Sequence, residues 1–165
     1  MNEWTPAALK RQFDAAKQNG WLPFFEDAAK QYDLPVNILI AIGSRETNLK
    51  NIIGDKGHGF GVMQIDKRYY PEWCASGKWR DAKEGIRMGA FVLRSFRNSA
   101  EKWLPGNYDR ARAAIAAYNC GRRAFMNYLA HSNPDIGTTG HDYSKDVLAR
   151  AAVFQQLLEA DQKVA

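Results

Sequence analysis

A mainly helical fold with one small glycine-rich β-hairpin is predicted by three observations. Apolar residues recur at helical spacing along most of the chain. Capping and stop signals frame these runs, namely Thr5-Pro6 with Gly20, Asp81 with Glu84, and the turn Leu104-Pro105-Gly106-Asn107. The segment Ile53 to Asp66 breaks the pattern, with four glycines between positions 54 and 61.

The elements follow in order. Thr5 caps a first helix, Pro6 takes its first position and Gly20 stops it. A second helix covers Pro23 to Tyr32. The third runs through Ile38, Leu39 and Ile42 to Glu46, with Asp33 expected as its cap and Pro35 in its first turn. Each glycine costs a helix roughly 1 kcal/mol relative to alanine, so the glycine cluster after Glu46 reads as a hairpin. Within it Phe60, Val62 and Gln64 alternate with Gly61, Met63 and Ile65, which suits a short strand. A long helix then begins at Asp81 to Glu84 and reaches Trp103, keeping Ile86, Ala90, Leu93 and Phe96 at helical spacing. Segments Tyr108 to Tyr118, Gly121 to Ala130 and Asp142 to Asp161 complete the helices, with a loop from Ser132 to Gly140. No linker or repeat divides the chain, so residues 1–165 are expected to form a single domain.

Composition narrows the class. With 165 residues, 45% hydrophobic and 25% charged, the chain can build a substantial core. It has no apolar run of about 18 residues, so no membrane insertion is expected. Met1 to Pro6 lacks the basic start and apolar run of a secretory leader, which leaves the compartment open. Cys74 and Cys120 could form one bridge or stay free thiols. His58, His131 and His141 show no metal-ligand spacing, and neither a metal nor another cofactor is expected. A net charge of +5 favours polyanionic partners and serves solubility equally well. The basic residues are scattered, with Arg122-Arg123 the one adjacent arginine pair, so no nucleic-acid partner is expected.

Glu46 is the candidate for chemistry. Leu39, Ile42 and Gly43 share its side of the helix, and desolvation there raises a carboxyl pKa, as a general acid near neutral pH requires. An ion pair with Arg45 or another cation would act the other way, and helix geometry alone leaves both readings open. The hairpin that follows carries Asp55 and Asp66. Glycoside cleavage uses two carboxyl groups that titrate apart, an acid for the departing oxygen and a base or nucleophile at the sugar carbon.

The string Ser44-Arg45-Glu46-Thr47, then Gly54-Asp55 and Gly59-Phe60-Gly61-Val62-Met63-Gln64-Ile65-Asp66-Lys67-Arg68, resembles the goose-type lysozymes of the lysozyme-like and lytic transglycosylase superfamily. Ala116-Ala117-Tyr118-Asn119-Cys120-Gly121 is similar to the Ala-Tyr-Asn-Ala-Gly motif shared with lytic transglycosylases. Asp135-Ile136-Gly137-Thr138-Thr139, Asp142-Tyr143 and Asp146 to Ala151 resemble the goose-type C-terminal helix and its approach. The resemblance covers Leu34 to Leu158, within a core of 34–161, and leaves the N-terminal helices of 1–33 outside it.

It implies a lysozyme-like fold, mainly α with a small β-hairpin and a cleft between hairpin and helical body. It also implies hydrolysis of the β-1,4 bond between N-acetylmuramic acid and N-acetylglucosamine, with inversion. Glu46 then corresponds to the general acid, and Asp55 and Asp66 to the aspartates that hold and activate water. Gln64, Tyr118, Asn119 and Tyr143 fall on cleft-lining positions, while Phe60 and Met63 are expected in the core. Peptidoglycan strands are the implied partner of a monomer, and a proteinaceous inhibitor is the one protein partner left room for. Two alternatives stand beside this reading: a lytic transglycosylase giving 1,6-anhydromuramic products, and a non-catalytic module binding cell wall or nucleic acid. The chain departs from the family where Thr47 replaces Ser and Cys120 replaces Ala, and in a shorter segment between Glu46 and Asp55. Neither cysteine matches the vertebrate disulfides, which points to a bacterial, phage or other lineage.

Overall fold

The computed structural model describes residues 3–164; Met1 and Asn2, where the reading for a leader begins, and Ala165 lie outside them. Among the described residues, eight α-helices accompany one three-stranded antiparallel sheet, the mainly helical architecture that the sequence predicts. The chain divides into two compact units, one of residues up to 90 with those from 150 onward, the other of residues 91–149. No described helix is long and apolar enough to cross a membrane.

The first unit holds α1 (Pro6–Gln18), α2 (Leu22–Tyr32), α3 (Val36–Thr47), the strands β1 (Ile53–Gly54), β2 (Gly59–Phe60) and β3 (Ile65–Asp66), and α4 (Pro71–Ala75). It also takes the first part of α5 (Ala82–Trp103) and the second part of α8 (Tyr143–Val164). Thr5 caps α1 as expected, its Oγ1 accepting from the Ala8 N–H at 3.1 Å. Asp33 does not cap α3. It ends α2 in the left-handed region (φ 52°), its N–H donating to the Ala29 carbonyl, and Pro35 stands as the residue before α3. Leu34 precedes a proline and is barred from helical backbone, so the chain must turn between the helices, and aspartate tolerates that turn better than most residues.

The sheet pairs Ile53 with Phe60 and Gly54 with Gly59, then Gly59 with Asp66 and Phe60 with Ile65. The strand expected through residues 60–65 is interrupted. Gly61 (φ 84°) and Gln64 (φ 52°) turn the chain between β2 and β3, and Val62 and Met63 at the centre are both fully buried. The alternating pattern therefore encodes a tight turn with two inward side chains. α4 and short 3-10 turns at Asp55–Gly57, Lys78–Arg80 and Thr139–His141 are further elements that periodicity did not indicate. α5 starts where expected, with Asp81 Oδ1 accepting from the Lys83 N–H at 3.0 Å.

The second unit contains the rest of α5, α6 (Arg110–Cys120), α7 (Arg123–His131) and the start of α8. Its core is Ala100, Leu104, Ala113, Ala116, Ala117, Ala124 and Phe125, with Phe96, Tyr108, Cys120 and Tyr128 packed against it. Buried Asp135 caps α8 from a distance, accepting from Ser144 N (2.8 Å), Ser144 Oγ (2.7 Å) and Lys145 N (3.2 Å). A carboxylate suits that position, because the first N–H groups of a helix carry partial positive charge.

Candidate active site

Glu46 lies in the last turn of α3, half-buried. The helix beneath it is fixed on several sides. Leu39, Ile40, Ala41, Ile42, Gly43 and Ser44 are all buried, and Thr47 just beyond Glu46 ties the helix end to the β2–β3 turn. The Thr47 hydroxyl is placed to donate to Gly43 O (3.0 Å) and Val62 O (2.9 Å), and it accepts from Lys50 N at 3.1 Å. Ser44 Oγ donates to Gln12 Oε1 at 2.6 Å and accepts from Arg150 Nη1 at 2.9 Å, so α1 and α8 also brace this helix.

Met63 keys the turn into the unit. A Cβ at Gly89 would fall 2.6 Å from Met63 Cβ and Cγ, and one at Gly43 would fall 3.4 Å from Met63 Sδ. Glycine on both helices is what admits the methionine. Gln64 plays a comparable part across the sheet. Its Nε2 donates to Ile52 O (3.1 Å) and Gly61 O (2.9 Å), and its Oε1 lies 2.5 Å and 2.2 Å from where a Cβ would stand at Gly54 and Gly59. The glycines of the hairpin make room for this carboxamide, which the structure uses to hold the sheet.

Asp55 and Asp66 converge on one cation. Arg68 grips Asp66 with Nε to Oδ1 at 2.9 Å and Nη2 to Oδ2 at 2.6 Å, and the same Nη2 reaches Asp55 Oδ2 at 3.3 Å. The Arg68 N–H also donates to Asp66 Oδ1 at 2.8 Å, closing an Asx turn after β3. The side-chain hydrogen bond from Arg68 leads the causes that hold the Asp66 carboxyl below its ordinary value, against partial burial, which raises it. Asp55 is the more open of the two, with 62% of its side chain exposed against 27% for Asp66. Glu46, Asp55, Asp66 and Gln64 thus share the first unit. Arg68 and the Thr47 tie carried no assigned role in the sequence; the Asp-x-Arg spacing of the Asx turn was the available signal.

The remaining candidates belong to the second unit. Tyr118 and Asn119 stand in the last turn of α6. Asn119 Oδ1 accepts from Thr139 N at 2.9 Å, and Thr138 Oγ1 accepts from Tyr143 N at 3.2 Å, so Asn119 and Tyr143 are joined through adjacent threonines. Tyr143, expected along a cleft, is fully buried, which gives its ring a packing position. Cys74 and Cys120 are free thiols, and burial pushes both upward, away from the reactive thiolate. Among the described residues no group of three or more His, Cys, Asp or Glu side chains is gathered as metal ligands would be.

A family model described as Lysozyme g matches residues 10–157. This chain belongs to the lysozyme g family. Lysozyme g of Gallus gallus is 35% identical over 126 residues, covering 72% of this chain and 56% of that protein. Lysozyme G of Dromaius novaehollandiae is 35% identical over 125 residues, covering 72% of this chain and 58% of that one. Lysozyme g of Takifugu rubripes is 29% identical over 160 residues, 92% of this chain and 83% of the fish protein. The chain spans little more than half the length of the first two. The lysozyme g match begins inside α1, so it also takes in α2, a region in which the sequence alone showed no resemblance.

Proposed function

We propose that this chain is a peptidoglycan hydrolase, a muramidase that cleaves the β-1,4 bond between N-acetylmuramic acid and N-acetylglucosamine with inversion. One observation carries the reading. A half-buried glutamate at the end of a buried helix is tied, through Thr47 and the turn at Val62, to the hairpin that carries Asp66 on β3 and Asp55 in the turn after β1. The names of the relatives, Lysozyme g, agree with it.

In this mechanism Glu46 gives its proton to the glycosidic oxygen as the bond to the anomeric carbon breaks. Asp55 and Asp66 direct a water to the opposite face of the sugar, which inverting enzymes accommodate with carboxyl groups about 6.5–9.5 Å apart. Gln64 contributes through the sheet it holds, Tyr118 and Asn119 in the second unit are sugar contacts in this reading, and buried Tyr143 supports that unit by packing. Glycan strands are the partner, and a monomer holds every residue the reaction needs.

Glu46→Gln tests the reading. Digestion of purified cell walls should collapse in the variant while binding to them persists. Undiminished lysis by the variant would overturn the assignment. Mass spectrometry of the products decides between hydrolysis and lytic transglycosylation, because the anhydro product is lighter by one water. The aspartate pair favours hydrolysis, since it offers a place for the water that a transglycosylase does not need.

A further inference from the structure

We propose that Arg68 is a positioning residue that divides the labour of the two aspartates, fixing Asp66 as a standing anion and leaving Asp55 to take the proton from water. The proposal rests on the hydrolase reading and adds a residue to it. Its basis is how differently the guanidinium treats two carboxylates bound to the same nitrogen.

Asp66 is heavily engaged by Arg68. Oδ1 accepts from Arg68 N (2.8 Å) and Nε (2.9 Å), and Oδ2 accepts from Nη2 (2.6 Å) and again from Nε (3.1 Å). The Nε–H is shared between the two oxygens, so three N–H groups occupy most of the carboxylate's roughly four lone-pair sites and leave room for about one further partner such as a water. Arg68 also holds Asp66 below its ordinary value, and a weakly basic anion is a poor proton acceptor. Asp55 meets Arg68 through Oδ2 alone, at 3.3 Å, with most of its side chain open to solvent.

Arg68 is the cation that both aspartates share. Its guanidinium stands between the two carboxylates, reaching Asp66 through Nε and Nη2 and Asp55 through Nη2. The other titratable or charged groups around Asp66 are His58 in the β1–β2 connection, Lys67 beside it in the chain, and Cys74 on α4. Backbone conformation points the same way. Asp55 (φ 48°) and Lys56 (φ 54°) are successive non-glycine residues in the left-handed region, a strained pair that needs outside contacts to persist. The Arg68 contact supplies one from beyond β3, and His58 N supplies another, donating to Asp55 O at 3.0 Å.

In the reaction, a water O–H bond breaks and its proton passes to Asp55 while the oxygen bonds to the anomeric carbon. The bond to the departing oxygen breaks and that oxygen takes the Glu46 proton. Asp55 ends protonated and Glu46 ionised, and solvent carries the proton back. Asp66 neither gains nor loses one.

The test compares Asp55→Asn, Asp66→Asn, Arg68→Gln and Arg68→Lys with the parent on soluble glycan fragments across pH, with carbon NMR titration of the aspartates. Asp55→Asn should lose about a hundredfold or more in kcat. Asp66→Asn and Arg68→Gln should lose about tenfold to a hundredfold, with KM changed by less than about threefold. In Arg68→Gln the Asp66 signal should titrate at higher pH, and the acid limb of kcat should move the same way. Arg68→Lys keeps the charge without the fork, so it should return the titration toward the parent and leave kcat depressed. Parental kcat in Arg68→Gln, an unmoved Asp66 titration, or greater damage from Asp66→Asn than from Asp55→Asn would each overturn the proposal. Full activity in Glu46→Gln would overturn the hydrolase reading instead, because the titration is read without turnover.

Discussion

At the end of α3, Glu46 rides on a helix whose preceding turns are buried, and three neighbouring elements hydrogen-bond to that helix. Asp66 ends a strand of two residues, Asp55 opens the short 3-10 turn just after another, and one exposed arginine joins them. The first arrangement draws its rigidity from packing; a half-buried acid on a close-packed helix cannot easily move. The second draws it from charge and from a turn, so it stays open to water. In the proposed reaction, an acid that must remain protonated and a pair that must handle water call for these two environments.

The contrast can be broken at several points, with effects of decreasing size. Glu46→Gln should lower wall digestion by about 10²- to 10⁴-fold while the thermal midpoint barely moves, since the change is isosteric and the site half-buried; turbidity and calorimetry would read both. Gly89→Ala should overpack Met63, which is fully buried, and destabilise by about 1–3 kcal/mol in denaturant unfolding. Thr47→Val strands Val62 O without its donor and should cost about 1–3 kcal/mol, whereas Thr47→Ser should cost well under half of that.

Gly59→Ala would displace the Gln64 carboxamide and should cost about 1–2 kcal/mol. In a Gln64→Ala background the same glycine change should be nearly silent, a coupling that a double-mutant cycle would measure. The smallest effect concerns pH. Asp66 is held below its ordinary value near 3.8, so its pair with Arg68 contributes stability above that pH and loses it as pH falls through the lowered value. Arg68 is largely exposed, so the stability gap between the parent and Arg68→Gln should be slight at neutral pH and vanish in strong acid.

Helical periodicity made the helices legible, because a buried stripe repeats over many residues and caps mark its ends. It misjudged the junctions. Asp33 was read as the start of one helix when it closes the one before, a choice set by the backbone limits of Leu34-Pro35. The strand expected through Gln64 failed because period-two alternation does not distinguish a pleat from a turn with two inward residues. In the candidate site, residue type alone says little, and Glu46, Asp55 and Asp66 are named because the string that carries them resembles a family motif. Arg68 could not be weighed, since one cation among 23 becomes meaningful only when the Asx turn aims it at two acids. Gln64 shows a role that the resemblance did not indicate: family position places it along a cleft, and the structure has its Nε2 donating to two carbonyls of its own hairpin segment.

In the first unit α1 lies along the second part of α8, and residue numbers on the two helices rise together. Trp4 faces Arg150, the Phe13 and Phe154 rings stack, and Lys17 pairs with Asp161. Tension applied through Trp4 and Val164 would therefore slide one helix along the other and load all three contacts at once. An antiparallel pair held at the same two points would peel apart one contact at a time. The helix carrying Glu46 is hydrogen-bonded to both members of this parallel pair, through Gln12 and Arg150. A chain tethered at its two ends should accordingly keep its acid in register until the whole seam gives way.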